Sequence, residues 1–148
     1  MGLEWPVGSK LHRAVTPNIY DLCVAAERVQ ALIIDDDPTT ARATARGLER
    51  TCETHVSHSA KEALARLRAG EHFDLVICDV MMPGMTGPEF FADAVAFSPE
   101  LRDRIVLVTG GATAEQTSRI AELGARCLQK PLRVETLREL VTTAGTRR

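Results

Sequence analysis

The sequence lacks an apolar run long enough to cross a membrane, and its N-terminus lacks the apolar core of a secretory signal peptide. It also lacks an excess of one charge, because the formal net charge is -2 and arginine and glutamate are dispersed along the chain. There is no basic stripe for nucleic acid and no cationic amphipathic helix for a membrane surface. We therefore expect a cytoplasmic protein that binds neither nucleic acid nor membrane.

Paired cysteine spacing is absent as well, which argues against a disulfide framework and a zinc ribbon. The sequence has four cysteines: Cys23, Cys52, Cys78 and Cys127. We expect them to be small buried hydrophobic residues. Only Cys52, His55 and His58 have a spacing that resembles metal ligands. Residues three apart on an alternating strand point to opposite faces, so we expect a solvated strand rim there rather than a metal site.

The length of 148 residues suits one domain with a proper core. Residues 1–28 are expected to be an N-terminal extension or linker containing a short amphipathic helix that begins near Thr16 and Pro17. We favour a packing role for this helix over a role in joining an upstream module or a twin subunit. Residues 29–144 are expected to form the domain.

From residue 29 onward, apolar runs typical of buried strands alternate with helical patterns. Strands are predicted at residues 29–34, 53–57, 73–78, 105–108 and 125–128, and the second is weak enough to be an edge. Five strands that alternate with five helices imply right-handed crossovers and a parallel sheet covered on both faces.

The five predicted helices show start signals or a clear inner face. The first helix is predicted at residues 38–50 and the third at residues 88–97. The second begins at a capping box at residues 59–62 and ends at Gly70. A second capping box at 113–116 opens the fourth, which ends at Gly124. The inner face of the final helix is predicted to hold four residues: Val134, Leu137, Leu140 and Val141.

Polar side chains follow four of the predicted strands, and ligands of parallel sheets bind beyond the carboxyl ends of the strands. These side chains are Asp35, Asp36 and Asp37 after the first strand, Asp79 after the third, Thr109 after the fourth and Lys130 after the fifth. Adjacent carboxylates raise one another's pKa and require compensation. Asp37 directly precedes Pro38, so we expect it to be a helix N-cap rather than a ligand.

Mg²⁺ prefers oxygen ligands and is typically held by one or two carboxylates together with water and phosphate oxygens. Asp36 and Asp79 can supply the carboxylates, Asp35 can hold a metal-bound water, and the carbonyl of Met81 can complete the set. A carboxylate can also accept a phosphoryl group to form an acyl phosphate, with Lys130 as a cationic donor and Thr109 as a hydroxyl donor.

Four motifs together resemble the receiver domain of two-component response regulators. They are IIDDDP at 33–38, DLVICDVMMPGMTG at 74–87, VTG at 108–110 and LQKP at 128–131. Each motif is weak alone, but their joint order and spacing are highly specific. The resemblance runs from about residue 29 to residue 142.

The resemblance implies a flavodoxin-like, doubly wound (βα)5 domain with strand order 2-1-3-4-5. It implies that Asp79 is the phosphoacceptor, that Asp35 and Asp36 are the Mg²⁺-site acids, and that Thr109 follows the phosphoryl group. It also implies that Lys130 is the ion-pair partner of this group and that the Lys130–Pro131 bond is cis. Such a domain is a signalling module that catalyses only its own phosphorylation and dephosphorylation.

The implied phosphoryl donor is a phosphohistidine on a sensor histidine kinase or a histidine phosphotransfer protein. The implied output is a changed surface that binds a downstream protein, and a homodimer stays open. One position departs from the family: Cys127 stands where an aromatic switch residue is frequent, so the usual ring rotation cannot operate. We expect no DNA-binding output in this chain, and either a stand-alone regulator or a receiver from a larger kinase.

Two other functions fit parts of the sequence. The string DDDPT at 35–39 fits the D-x-D-x-T opening of haloacid-dehalogenase-like phosphotransferases, with Asp35 as nucleophile and Asp37 as acid/base. No acidic pair follows Lys130 to complete that site, and Asp79 would have no role. The second is a pseudo-receiver that docks without phosphorylation, which the intact set of site residues disfavours and Cys127 leaves open.

Overall fold

The computed structural model describes residues 28–148. Within this range five strands alternate with five α-helices: β1 (Gln30–Ile34), α1 (Pro38–Leu48), β2 (Glu53–Ser57), α2 (Ala60–Arg68), β3 (Leu75–Asp79), α3 (Gly87–Phe97), β4 (Ile105–Thr109), α4 (Ala114–Leu123), β5 (Arg126–Gln129) and α5 (Val134–Thr146). The helix expected near Thr16, and Cys23 with it, lie outside the described residues. Across residues 28–148 no helix combines the length and apolar character needed to cross a membrane.

The strands form one parallel sheet with the order β2-β1-β3-β4-β5, which confirms the predicted flavodoxin-like fold and the edge position of β2. The register aligns Ile34 with Cys78, Asp79 with Val108, and Thr109 with Gln129. The carboxyl ends of the four strands β1, β3, β4 and β5 therefore meet at one edge of the sheet. The residues that follow these strands are brought together there.

Both faces of the sheet are buried, because successive side chains of a strand point to opposite sides. Leu32 and Ile34 of β1 pack with α2, α3 and Ile120 of α4, whereas Ile33 packs with α1 and α5 on the other face. Cys52 and Cys78 are buried as expected, and Cys127 is partly buried against the first of these clusters. The continuous apolar runs of the sequence reflect this two-sided burial.

Val134 departs from the predicted inner face of α5. Leu137, Leu140 and Val141 are buried, but Val134 is 43% exposed. Val134 is the first residue of the helix. Helical spacing indicates which residues share a face, but it does not indicate where along the helix the sheet begins to cover that face.

The helix starts agree with the sequence in part. Thr113 and Gln116 form the predicted capping box, whereas Ser59 only accepts from the Glu62 amide and the reciprocal half is not formed. At α3, Thr86 and Glu89 form a complete capping box that was not predicted, and the helix begins one residue early, at Gly87. A 3-10 helix at Pro99–Asp103 was also not predicted.

Candidate functional site

Three carboxylates converge at the carboxyl edge of the sheet. Asp35, Asp36 and Asp79 each bring an oxygen to within 4.8 Å of the others. Asp35 directly follows β1 and is only 5% exposed, Asp79 ends β3 and is half-buried, and Asp36 is exposed. Their proximity follows from the pairing of β1 with β3, which places the ends of the two strands side by side.

Lys130 reaches into this cluster from the residue after β5. Its Nζ lies 3.2 Å from Oδ2 of Asp35 and 3.4 Å from Oδ2 of Asp79. Burial would lower the pKa of Lys130, but the hydrogen bond that Lys130 donates to Asp35 and the charges of Asp79 and Asp35 outweigh it, so the pKa is raised. Lys130 is therefore charged at neutral pH and bridges two of the three acids. The Lys130–Pro131 bond is cis, as the resemblance implied.

Asp79 is the last residue of β3, and the loop that follows it packs closely against the end of this strand. Its Oδ1 accepts a hydrogen bond from the Met81 amide at 3.3 Å. Gly84 adopts a positive φ of 83°, and a Cβ on Gly87 would lie 2.6 Å from the carbonyl oxygen of Asp79. Both glycines thus permit the close approach of this loop to the end of β3.

The electrostatics of Asp79 are those of a poorly compensated carboxylate. Burial raises its pKa, the charge of Lys130 opposes this, and the charge of Asp35 raises the pKa further, leaving a net increase. A divalent cation close to this carboxylate would favour its charged form. Three carboxylates facing one ammonium group leave an excess of negative charge, and an all-oxygen donor set suits Mg²⁺, so the residues fit this ion.

Thr109 ends β4, the strand that pairs with β3, and it is partly buried. Its Oγ1 accepts a hydrogen bond from the Gly111 amide at 3.1 Å, which leaves the hydroxyl hydrogen to donate elsewhere. A Cβ on Gly110 or Gly111 would meet no atom within 4 Å. The two glycines after Thr109 therefore border open space.

Asp37 belongs to α1 rather than to the acidic cluster. Its carboxylate accepts from the Thr39 amide at 3.0 Å and from the Thr40 hydroxyl at 2.7 Å. The Thr40 hydrogen bond is the largest of the effects that lower the pKa of Asp37. The prediction that Asp37 is an N-cap is confirmed.

Cys52, His55 and His58 do not come together as metal ligands within the described part of the chain. Cys52 is buried and contacts the carbonyl of Leu48, and His55 contacts Gln30 at 2.8 Å. His58 lies elsewhere, with Nδ1 3.1 Å from the carbonyl oxygen of Asp35. The three side chains thus have different partners, and Cys52 is buried rather than part of the solvated strand rim that was expected.

Two contacts of the site were not predicted from the sequence. One is the salt bridge of Lys130 with Asp35 in addition to that with Asp79. The other is the contact of His58 with the backbone of Asp35. The only sequence signal for the second was the position of His58 directly after a strand, which is shared by many residues without such contacts.

Comparison with known proteins agrees with this geometry. The family model of the response regulator receiver domain matches residues 31–142. The two-component response regulator ORR24 of Oryza sativa subsp. indica is 36% identical over 76% of this chain and 18% of its own length. The C4-dicarboxylate transport transcriptional regulatory protein DctD of Rhizobium meliloti (strain 1021) is 35% identical over 74% of this chain and 26% of its length. The matched part is thus a minor share of both relatives.

Solved structures show the same architecture. The crystal structure of a response regulator receiver domain protein (CheY-like) from Methanospirillum hungatei JF-1 has a TM-score of 0.72 and 28% identity, and covers 81% of this chain and 95% of that one. The chemotaxis protein CheY4 of Vibrio cholerae has a TM-score of 0.69 and 28% identity, with 79% and 98% covered. Since the family model also spans most of the sequence, the chain belongs to the response regulator receiver domain family.

Proposed function

We propose that Asp79 accepts a phosphoryl group from a phosphohistidine of a histidine kinase or phosphotransfer protein, in a reaction that requires Mg²⁺. Receiver domains are signalling modules that interact with such proteins and generally bind Mg²⁺ at an acidic pocket. The observation that carries the proposal is the convergence of three carboxylates and one lysine at the carboxyl edge of the sheet.

The contacts of Asp35 and Asp79 favour Asp79 as the nucleophile. Both oxygens of Asp35 are engaged, Oδ1 by the Asp37 amide at 3.0 Å and Oδ2 by Lys130 at 3.2 Å. The corresponding distances at Asp79 are longer, 3.3 Å to the Met81 amide and 3.4 Å to Lys130. Asp79 is also less buried than Asp35. Its carboxylate is thus more accessible to an incoming phosphorus atom.

In the transfer, an oxygen of Asp79 forms a bond to phosphorus while the bond from phosphorus to the donor imidazole nitrogen breaks. The imidazole leaves with the electron pair of that bond and takes up a proton. Asp36, Asp79 and the carbonyl of Met81 would hold Mg²⁺, with Asp35 acting through a water molecule, and the ion would neutralise charge on the phosphoryl oxygens.

After transfer, Lys130 would pair with the phosphoryl group, and the Thr109 hydroxyl would donate to one of its oxygens. A movement of Thr109 toward this group would pull on β4 and α4. Cys127 of β5 packs against the hydrophobic core on one face of the sheet. Its side chain has no aromatic ring whose rotation could follow the movement of Thr109. We therefore propose that the surface around α4 and β5 changes through displacement of the backbone rather than through ring rotation.

Intact-mass measurement after incubation with acetyl phosphate and Mg²⁺, quenched in acid, tests the proposal. The wild type and the Asp93→Asn variant, which changes an exposed acid of α3, should each gain one phosphoryl group. The Asp79→Asn variant should gain none, and chelation of Mg²⁺ should abolish the adduct. An adduct that survives Asp79→Asn but not Asp35→Asn would establish the haloacid-dehalogenase-like alternative. No adduct on the wild type would favour the pseudo-receiver.

A further inference from the structure

His58 contacts the backbone of the acidic cluster from the link that follows β2, a strand that carries none of the three carboxylates. It directly follows β2, and its Nδ1 lies 3.1 Å from the carbonyl oxygen of Asp35. A carbonyl oxygen can only accept a hydrogen bond, so Nδ1 of His58 must carry the hydrogen. Neutral and protonated imidazole can both donate from this atom, and the contact therefore does not depend on the charge of the ring.

The residues on either side of His58 are anchored, which fixes the place of its ring. The buried Ser57 accepts a hydrogen bond from Arg66 at 3.2 Å, and its carbonyl accepts from the Asp35 amide at 3.2 Å. Ser59 caps α2 by accepting from the Glu62 amide at 3.1 Å. The link between β2 and α2 is thus held at both ends, and the imidazole projects from a rigid support.

With the contribution of His58, every polar group of Asp35 is engaged. The amide donates to Ser57, Oδ1 accepts from the Asp37 amide, Oδ2 accepts from Lys130, and the carbonyl accepts from His58. The carbonyl of Asp35 and the amide of Asp36 lie in one peptide plane. A hydrogen bond to this carbonyl therefore restrains the orientation of the peptide plane between Asp35 and Asp36.

This restraint matters for Asp36 because its side chain is exposed. Packing does not fix an exposed carboxylate, so the orientation of the backbone has a larger share in placing it. Mg²⁺ demands near-ideal octahedral geometry, and partners outside the ligand shell commonly tune metal affinity by orienting the ligands. A small rotation of the peptide plane would move the Asp36 carboxylate away from those of Asp35 and Asp79.

We propose that His58 is a positioning residue for the metal site, which holds the Asp35–Asp36 peptide so that the Asp36 carboxylate faces the cation. This inference rests on the proposed function, since it assumes that the acidic cluster binds Mg²⁺. It assigns a role to the β2–α2 link that none of the family motifs in this sequence covers.

Isothermal titration of the full chain with Mg²⁺, together with thermal unfolding in a chelator, tests the proposal. His58→Ala should raise the Mg²⁺ Kd roughly two- to tenfold, as expected for loss of one hydrogen bond. It should lower the Tm in chelator by no more than about 5 °C, because the residue is exposed and only one hydrogen bond is lost. His58→Asn, whose amide can donate from nearly the same position as Nδ1, should restore the wild-type Kd to within about twofold.

His55→Ala, in the β2 strand that directly precedes His58, is the matched control. His55 contacts Gln30 and packs edge-on against Phe73 with ring centroids 5.4 Å apart, so its loss should lower the Tm but leave the Mg²⁺ Kd as in the wild type. A wild-type Kd in His58→Ala, or a Kd in His58→Asn as weak as that in His58→Ala, would overturn the positioning role.

A metal-free measurement separates this inference from the proposed function. Nitrogen chemical shifts of the His58 ring in wild-type protein with chelator should show a hydrogen on Nδ1, and an unprotonated Nδ1 would overturn the inference by itself. Failure of the wild type to bind Mg²⁺ at millimolar concentration would instead defeat the proposed function, and with it the role of His58.

Discussion

Replacing Asp79 with asparagine should stabilise the metal-free protein at neutral pH, although it removes a partner of Lys130. Asparagine has nearly the same shape as aspartate, and its Oδ1 can still accept the hydrogen bond from the Met81 amide. The substitution therefore changes mainly the charge at a half-buried position. Its effect depends on whether attraction or repulsion dominates at that position.

The distances of the site allow the two terms to be compared. With an effective dielectric constant of about 20, the attraction between Asp79 and Lys130 at 3.4 Å is about 5 kcal/mol. The repulsion from Asp35, at no more than 4.8 Å, is about 3.5 kcal/mol, and the repulsion from the exposed Asp36 is largely screened by solvent. Burial, the largest cause of the raised pKa of Asp79, adds to this repulsion, and together they exceed the attraction. Solvent at Lys130 and Asp36 screens all three terms, so we expect a stabilisation of about 1 kcal/mol.

Thermal unfolding followed by circular dichroism at pH 7 in a chelator should show a Tm about 3 °C higher for Asp79→Asn than for the wild type. Saturating Mg²⁺ should reverse this order, because an ion at one hundred times its Kd adds about 2.7 kcal/mol to the stability of the protein that binds it. Asp93→Asn removes an exposed charge on α3 and should change stability by less than about 0.5 kcal/mol.

The pH dependence provides a second check on the same variant. Because burial and the charge of Asp35 raise the pKa of Asp79 above its ordinary value of 3.8, the wild type loses stability as the pH rises through the folded-state pKa. The advantage of Asp79→Asn should be near zero below pH 3.8 and should grow toward neutral pH. A variant less stable than the wild type at pH 7 in chelator, or an advantage independent of pH, would refute the electrostatic reasoning.

Substitutions at Gly87 and Thr86, each with a matched control, test the loop and the helix start that follow Asp79. Gly87→Ala should lower the free energy of unfolding by about 1–3 kcal/mol, because its Cβ would lie 2.6 Å from the Asp79 carbonyl oxygen. Gly145→Ala in α5 is the control, because its Cβ would make only an ordinary contact at 3.6 Å. It should be neutral or stabilising by up to about 1 kcal/mol. Equal free energies of unfolding in urea for the Gly87→Ala and Gly145→Ala variants would contradict this reasoning. Thr86→Ala should cost about 1 kcal/mol by removing the cap of α3, whereas Thr86→Ser should retain it. An alanine variant as stable as the serine variant in urea would show that the cap does not contribute.

Strands and helices were predictable wherever a local pattern decides them. β1 is apolar from Ala31 to Ile34 and β3 from Leu75 to Cys78 because both faces of the sheet are covered, and this pattern identified the two strands. The role of Asp37 followed from its position before Pro38. The cap at Thr86 was missed because Gly87 and Pro88 follow it, and this pair is as typical of a loop as of a helix start. Helical periodicity also could not predict that Val134 is exposed, because it does not indicate where the sheet begins to cover α5.

The sequence by itself determined the order of the elements, the burial of the strands and the set of polar residues after the strand ends, because each of these depends on residues close together in the chain. Its motifs also implied the strand order through their resemblance to a family. Only the tertiary structure decided the distances on which the chemistry depends. Lys130 bridges Asp35 and Asp79, and His58 contacts the Asp35 carbonyl, across loops that no local pattern constrains. The physical reason is that parallel strands meet through long crossovers, so their register and the resulting side-chain contacts are set by the packing of the whole sheet.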